Sequence, residues 1–252
     1  MTDATSRWHV GTFCWALMVS LACASQAMSE DNAKPEDSAS GKYGLLFDGR
    51  GARVEVADFL YDGEPATLEA MALPHSDKLG SVFVDFEAAG IGLHFRESRW
   101  LFNVSDNGTY RVIRSDELAS REKPAHLAGV FDGKMMRLYV NGQLQTRLQK
   151  IDGPVRLSQL PFWIGANPGP GGAVQEPFLG RIDAVRMTKG ALYSKTFKPP
   201  QKFEKSDDTL LLLNFEEGMG NVAKDESGHD RNGKIIGATW VRIDGDDSPK
   251  TK

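Results

Sequence analysis

Short runs of alternating apolar and polar residues, separated by turn residues, repeat along most of this chain. In the clearest run, residues 134–140, Met136, Leu138 and Val140 occupy alternate positions. This two-residue period is typical of a half-buried antiparallel strand and not of a helix. Asp132-Gly133 before the run and Asn141-Gly142 after it favour tight turns with positive φ. The central stretch is therefore predicted to be an antiparallel meander of three strands.

Similar runs recur at intervals typical of sandwiches and barrels, about 8–12 residues. The other predicted strands cover residues 45–47, 53–56, 67–73, 81–86, 91–95, 99–104, 110–113, 143–148, 161–165, 178–187, 210–215, 234–236 and 239–243. Asn107-Gly108 predicts one more hairpin turn. One helix-like piece, residues 190–197, is too isolated to make the βαβ rhythm of a parallel sheet. The pattern predicts an all-β fold.

The two ends of the chain differ in composition from the middle. Arg7 precedes an apolar run at residues 10–24, and small residues follow it, so residues 1–27 are predicted to be a signal peptide. An uncleaved N-terminal anchor is the main alternative, and a lipoprotein anchored through Cys23 is less favoured because Ser20 replaces the usual branched apolar residue. Residues 28–41 and 244–252 are polar and are predicted to be a disordered linker and tail around a domain at 42–243. We expect a secreted, periplasmic or cell-envelope protein whose mature chain has no membrane span.

Cysteine content and net charge limit the kinds of site and partner that the mature chain could have. Both cysteines, Cys14 and Cys23, lie inside the predicted signal peptide. The mature chain would then have no disulfide, no zinc–thiolate site and no cysteine nucleophile. The formal net charge of −4 argues against a nucleic-acid partner, because such surfaces normally carry a basic excess.

Once the strands are placed, the sequence of residues 42–197 resembles the sequences of a known family. Leu46-Phe-Asp-Gly49, Ala128-Gly-Val-Phe-Asp-Gly-Lys134, Leu138-Tyr-Val-Asn-Gly142 and Gly180-Arg-Ile-Asp-Ala-Val-Arg186 are similar to the laminin G-like domains of the concanavalin A-like lectin/glucanase superfamily. The resemblance implies a two-sheet antiparallel jelly-roll sandwich. Many relatives bind carbohydrate or protein, and many carry a calcium ion at the rim.

Residues 210–241 depart from the usual family order. They resemble the segment that opens such a domain, although here they come last. The first and last strands of this fold are neighbours in one sheet, so we predict that these C-terminal strands close the sheet beside the N-terminal strand. A truncated second repeat is the alternative.

The resemblance implies a calcium site that includes Asp48 and Asp183, since carboxylates and carbonyl oxygens suit this ion. The chain departs from the family here, because Gly51-Ala52-Arg53 stands where relatives often have further acids. A structural salt bridge, for example between Arg53 and Asp183, or a turn cap is the alternative for these acids.

Three residues are candidate ligand-binding groups. Trp163 and Trp100 could stack on sugar rings, although a strand tryptophan is more often a packing residue. Asn167 lies in the long segment 166–177, which we expect at the rim of the sandwich, where binding sites are often built. That segment could also be a plain connector.

Catalysis is not expected. Glycosidases with this fold use paired carboxylates in a Glu-x-Asp-x-x-Glu pattern, which this sequence lacks. Asp85 and Glu87 are the nearest pair, and they lack the third acid. The sequence therefore predicts a secreted, non-catalytic module that binds glycan. One alternative is a module that binds an extracellular protein, which an exposed patch at Met135 and Tyr139 would favour. The other is an enzyme with an unrecognised site.

Overall fold

A computed structural model of the protein describes residues 42–57, 59–85 and 89–243. The predicted signal peptide (1–27), linker (28–41) and tail (244–252) lie outside the described residues, so those expectations remain predictions. Among the described residues, no helix combines the length and the apolar character that a membrane span needs.

The described part of the chain is almost entirely β-structure. Its strands are β1 (Tyr43–Asp48), β2 (Arg53–Val56), β3 (Ala66–Pro74), β4 (Gly80–Val84), β5 (Ile91–Arg96), β6 (Arg99–Asp106), β7 (Thr109–Arg114), β8 (Ala125–Phe131), β9 (Met135–Val140), β10 (Gln143–Leu144), β11 (Gln149–Lys150), β12 (Phe162–Ile164), β13 (Asn167–Pro168), β14 (Val174–Gln175), β15 (Leu179–Lys189), β16 (Thr209–Leu213), β17 (Val222–Ala223), β18 (Gly233–Ile236) and β19 (Thr239–Arg242). One 3₁₀ turn, Pro170–Gly172, lies between β13 and β14.

Two antiparallel sheets form a sandwich, as predicted. Sheet A has the order β10-β9-β8-β3-β15-β1-β19, with β11 also paired to β9 and β16 to β15. Sheet B has the order β17-β18-β2-β12-β4-β5-β6-β7. The strands β13 and β14 form a separate two-stranded hairpin, here called the rim hairpin (residues 166–177).

The C-terminal strands close the sandwich beside the first strand, which confirms that prediction. β19 pairs with β1, with Leu45 opposite Trp240. β16 pairs with the C-terminal half of β15, whose N-terminal half pairs with β1. β18 enters the other sheet beside β2. The C-terminal segment therefore contributes to both sheets and is not a separate repeat.

The alternation of side chains places the core between the sheets. On β9, Met136 and Leu138 are fully buried in that core, while Tyr139 belongs to a smaller cluster on the outer face of sheet A. Alternation fails on β15, where the register shifts between Ile182 and Ala184. Because of this bulge, Ile182 and Val185 both enter the core. Strict alternation along this strand predicts that Asp183 and Val185 share a face, and the bulge makes that expectation wrong.

Two of the three predicted tight turns have the expected backbone. Asn107-Gly108 and Asn141-Gly142 have positive φ at both residues, as type I′ hairpins require. At Asp132-Gly133 only the glycine has positive φ. The Asp132 carboxylate instead accepts hydrogen bonds from the backbone N–H groups of Lys134 and Met135. The hairpin forms, but a side-chain cap stabilises its turn.

The segment 190–205 crosses the outer face of sheet A without forming the predicted helical turn. Tyr193 and Phe197 stack on each other and contact Tyr139. Tyr139 is consequently fully buried. The exposed patch at Met135 and Tyr139 that a protein partner could use is therefore absent from this part of the structure.

Candidate functional site

The outer face of sheet B carries a row of residues that crosses four strands. Trp163 on β12 lies opposite Val84 on β4, which lies opposite Gly92 on β5, which lies opposite Asn103 on β6. These residues point away from the core because their sequence neighbours, such as Ile164 and Phe102, enter it. Neighbouring strands lie about 4.8 Å apart, so the row is about 14 Å long. We call this surface the sheet B face.

A chain of polar groups connects the rim hairpin to this row. Asn167 Nδ2 donates to Glu176 Oε2 at 3.5 Å, and Ser81 Oγ donates to the same oxygen at 3.0 Å. Ser81 Oγ also lies 3.0 Å from His94 Nδ1. His94 Nε2 lies 2.6 Å from Asn103 Oδ1. The predicted ligand residues Trp163 and Asn167 are thus parts of one surface.

The proton arrangement of this chain leaves one Asn103 atom without a partner. Because Ser81 uses its hydroxyl proton on Glu176, the His94 Nδ1 contact requires a proton on that ring nitrogen. His94 Nε2 then either donates to Asn103 Oδ1 or accepts from the Asn103 amide. In either arrangement the other amide atom is unused, and it is Nδ2 in the structure described here.

Two buried polar atoms of the face lack hydrogen-bond partners among the described residues. They are Asn103 Nδ2, a donor, and Asn167 Oδ1, an acceptor. Both side chains are essentially inaccessible, with exposed fractions of 0% and 1%. Buried polar groups nearly always have hydrogen-bond partners, and an unsatisfied group costs about 1–3 kcal/mol. The face therefore holds one unused donor and one unused acceptor, both enclosed in the described state.

Trp163 has a lower exposure than its proposed role as a sugar platform suggests. Its side chain is 5% exposed, and the Arg53 guanidinium lies 4.6 Å above the ring. Arg53 is held there by an ion pair with Glu55, with Nε and Oε1 2.8 Å apart. This geometry favours packing in the described state, and a sugar could stack on the ring only after Arg53 moves.

Trp100 lies apart from the sheet B face. It is 1% exposed and belongs to the core between the sheets, where its ring meets Phe95 edge to face. A ring enclosed in this way cannot serve as a stacking platform, so the structure favours the packing alternative for Trp100. The same residue lines a separate rim cavity.

The structure does not bring Asp48 and Asp183 together. Asp48 lies opposite Leu179, four residues before Asp183, or about 13 Å along the strand. Within the described ranges, no group of three or more His, Cys, Asp or Glu side chains could hold a metal ion. The geometry therefore favours the structural alternatives over a shared calcium site.

Each of the two acids has a structural partner. Burial raises the pKa of Asp48, but hydrogen bonds from the N–H groups of Arg50, Ala52 and Gly51 outweigh it and hold the pKa below its usual value. Asp48 thus caps its turn. Asp183 pairs with Arg181, with Oδ1 and Nε 2.7 Å apart. The salt bridge anticipated for Asp183 exists, but its partner is Arg181 and not Arg53.

A cluster of Glu55, Glu69, Asp85 and Glu87 in one cleft would favour an enzyme, but Glu55 and Glu69 lie on different sheets. Glu55 lies on the sheet B face, opposite Trp163. Glu69 lies on the outer face of sheet A, buried beside Arg186 and His126. Asp85 is fully buried, with its carboxylate accepting from the Ile91 N–H, and Glu87 lies outside the described residues. Glu55 and Glu69 therefore cannot act as a pair.

Sequence reasoning did not single out Ser81, His94, Asn103 or Glu176 as ligand residues. A signal was present, since His94 and Asn103 alternate with apolar residues that enter the core, such as Leu93 and Phe102. Alternation alone places each of them on an outer face. These side chains come together only because of the register among β4, β5 and β6. That register cannot be read from any one segment of the sequence.

A comparison with protein-family models identifies the family of this chain. The family model Laminin_G_3, described as the concanavalin A-like lectin/glucanases superfamily, matches residues 48–196, more than half of the chain. The chain belongs to this superfamily. A comparison with curated proteins gave no match.

Three solved structures are similar to this chain, each at a sequence identity of 16% or less. One is a candidate carbohydrate binding protein from Bacteroides ovatus ATCC 8483, with TM-score 0.61 and 16% identity over 81% of this chain and 61% of that one. Another is the heptameric SAP-like pentraxin from Limulus polyphemus, with TM-score 0.50 and 13% identity over 81% and 93%. The CBM40 of Ruminococcus gnavus IT-sialidase, bound to α2,3 sialyllactose, has TM-score 0.49 and 14% identity over 60% and 91%. The chain thus spans less than two thirds of the Bacteroides protein.

Proposed function

We propose that this protein is a non-catalytic module that binds a carbohydrate on the sheet B face. The observation that carries the proposal is the pair of unsatisfied buried atoms, Asn103 Nδ2 and Asn167 Oδ1, at the two ends of one polar chain. A sugar hydroxyl both donates and accepts hydrogen bonds, so one class of ligand can satisfy both atoms. Secretion, inferred from residues 1–27, is part of the same proposal.

The setting of these atoms supports a small number of strong contacts. Hydrogen bonds are stronger where water is excluded, and both amides are buried. Trp163 lies at the far end of the row, under Arg53. We propose that Arg53, which is partly exposed, turns away when a ligand arrives and uncovers the ring for stacking. The Bacteroides protein that shares this fold is named for carbohydrate binding, which agrees with this ligand class.

The alternatives have less support from the geometry. A paired-carboxylate glycosidase needs two acids about 5–10 Å apart on one cleft, whereas Glu55 and Glu69 lie on the outer faces of opposite sheets. A protein partner at Met135 and Tyr139 would meet the segment 190–205 instead of Tyr139. We therefore keep the protein-binding function as an outcome of the test and not as a second proposal.

The test is a glycan array followed by calorimetric titration of the best glycan. Asn167→Ala removes the unsatisfied acceptor, and we expect about tenfold weaker binding, since a hydrogen bond is worth about 1 kcal/mol or somewhat more. Trp163→Ala should weaken binding at least as much. Gly92→Ala should also weaken it, because a Cβ there would lie 2.7–2.9 Å from Val84, His94 and Asn103.

Gly51→Ala is the matched control, because a Cβ at Gly51 meets no atom within 4 Å. It should bind like the parent protein. If a glycan binds but neither Asn167→Ala nor Trp163→Ala changes its affinity, the sugar is bound elsewhere. If no glycan binds while a secreted protein does, the carbohydrate function is wrong.

A further inference from the structure

The row of residues on the sheet B face continues beyond Trp163 into a group of charged side chains. Glu55 on β2 lies opposite Trp163 on one side and opposite Lys234 on β18 on the other. Glu55 and Lys234 point away from the core, because the residues beside them in sequence, such as Ile235, enter it. Arg53 lies two positions before Glu55 on the same strand and shares its face. The Trp163 ring therefore has charged side chains along one border.

Arg53 covers the Trp163 ring and is held there by three contacts. Its guanidinium lies 4.6 Å from the centroid of the ring. Its Nε donates to Glu55 Oε1 at 2.8 Å, and its Nη1 donates to the Gly51 carbonyl at 3.1 Å. The Arg53 and Glu55 side chains are 18% and 26% exposed, so water reaches this ion pair and it contributes little stability. The cover is therefore ordered, but a ligand can displace it.

Lys234 is a second cation within reach of the Glu55 carboxylate. Residues directly opposite each other in an antiparallel pair have Cβ atoms about 4.5–5.5 Å apart, and opposite charges at such positions attract each other. Lys234 is exposed and has no ion-pair partner among the residues that the structure describes. If Arg53 leaves, Glu55 can therefore exchange one cation for another and is not left unpaired.

We propose that Arg53, Glu55 and Lys234 form a two-state gate that regulates access to Trp163. In the closed state, which the structure shows, Glu55 pairs with Arg53 and the ring is covered. In the open state Glu55 pairs with Lys234, and the ring is free to stack on a sugar. The ligand binds the open state, so its apparent affinity is reduced by the fraction of open molecules. The inference rests on the proposed function for its ligand, but the gate itself can be tested without one.

Two measurements on the ligand-free, full-length protein test the gate. A neutral gadolinium chelate broadens the NMR signals of exposed groups, and Trp163→Phe assigns the ¹⁵N-indole signal of Trp163. We expect little broadening of this signal in the parent protein and strong broadening in Arg53→Ala. The Trp100 signal should stay sharp in both proteins, because that side chain is 1% exposed.

A crystal structure of Arg53→Ala is the second measurement. It should place Lys234 Nζ within about 4 Å of a Glu55 carboxylate oxygen, which is an ion-pair distance. The gate is wrong if the Trp163 signal is unchanged by Arg53→Ala, or if Lys234 and Glu55 stay apart in that variant.

Calorimetry with the best glycan measures how the gate affects affinity. Arg53→Ala should bind about tenfold more tightly, because a cation–π contact and a surface ion pair no longer oppose opening. Lys234→Gln should bind about threefold more weakly, because the open state loses its ion pair. Lys195→Gln is the matched control, because it removes an exposed lysine from the segment 190–205 on the opposite sheet. It should bind like the parent protein.

The double variant separates gating from direct contact with the ligand. In the Arg53→Ala background Lys234→Gln should have no effect, and an equal loss with and without Arg53 would make Lys234 a ligand contact and the gate wrong. If glycans bind through Trp163 but Arg53→Ala binds no more tightly, the sheet B face keeps its function and the gate is wrong. If Arg53→Ala uncovers Trp163 and Lys234 pairs with Glu55 while neither protein binds a glycan, the gate stands and the proposed function is wrong.

Discussion

At the scale of single residues, the carboxylate of Asp225 connects the C-terminal loops to sheet A. It accepts from the N–H of Leu212 on β16, from the N–H and hydroxyl of Ser227, and from the N–H of Arg231. Burial raises the pKa of Asp225, but the hydrogen bonds from Ser227, Leu212 and Arg231 outweigh it and lower the pKa overall. The ionised form is therefore the form that stabilises the fold.

This gives a pH-dependent prediction for Asp225→Asn. A lowered folded-state pKa contributes stability above the unfolded pKa of about 3.9 and loses it as pH falls through the folded value. At pH 7 we expect the variant to be less stable by about 1–3 kcal/mol. Urea unfolding between pH 7 and pH 2.5 should show this difference shrinking below about pH 4.

The control for this prediction is Asp207→Asn, at an exposed position. Its free energy of unfolding should follow that of the parent protein over the whole range. A difference between parent and Asp225→Asn that stayed constant down to pH 2.5 would show that the charge of Asp225 does not contribute.

At the scale of elements, the segment 190–205 is fixed to sheet A by a buried ionic cluster. Glu69 on β3 accepts from Arg186 on β15, with an Nε–Oε2 distance of 2.7 Å, and from the Tyr193 hydroxyl at 2.8 Å. His126 Nε2 on β8 lies 3.1 Å from Glu69 Oε1. Three strands and the covering segment therefore meet at one fully buried carboxylate.

We predict that Glu69→Gln lowers the free energy of unfolding by about 3–5 kcal/mol, since it leaves Arg186 buried without its counter-charge. Urea unfolding measures the loss, and hydrogen exchange should show residues 190–205 losing protection first. Replacing both Glu69 and Arg186 by Met should cost less than the single change.

Glu97→Gln is the control, because its pairs with Arg96 and Arg114 are exposed and are worth about 0–1 kcal/mol. A Glu69→Gln loss equal to the control would contradict the cluster's role.

The same elements show how far sequence patterns predict structure. Alternation placed Met136 and Leu138 in the core correctly, because a strand's period follows from its backbone alone. It failed at Asp183, because a bulge adds one residue without a local signal. Trp163 and Asn167 could be selected by residue type. Their link through His94 and Asn103 could not, because it depends on which strands become neighbours.

At the scale of the whole molecule, the folded unit extends beyond the residues that the family model matches. The family model matches residues 48–196, whereas the sandwich uses strands as far as Arg242. The C-terminal segment supplies buried core residues, including Leu211, Leu213 and Phe215. The backbone N–H of Ile243 donates to the Lys42 carbonyl, so the first and last described residues are bonded to each other.

This arrangement predicts that a chain ending at residue 200 cannot form a stable monomer, although it contains the whole family match. Without residues 209–243, β1 and β2 each lose a pairing partner, and such open edges promote aggregation. Residues 42–243 should unfold cooperatively on heating, whereas residues 42–200 should aggregate or show no cooperative transition. Leu213→Ala in the longer chain tests the same contacts without truncation and should cost about 2–5 kcal/mol. A cooperative, monomeric 42–200 fragment would show instead that the C-terminal strands are an accessory to a domain already complete without them.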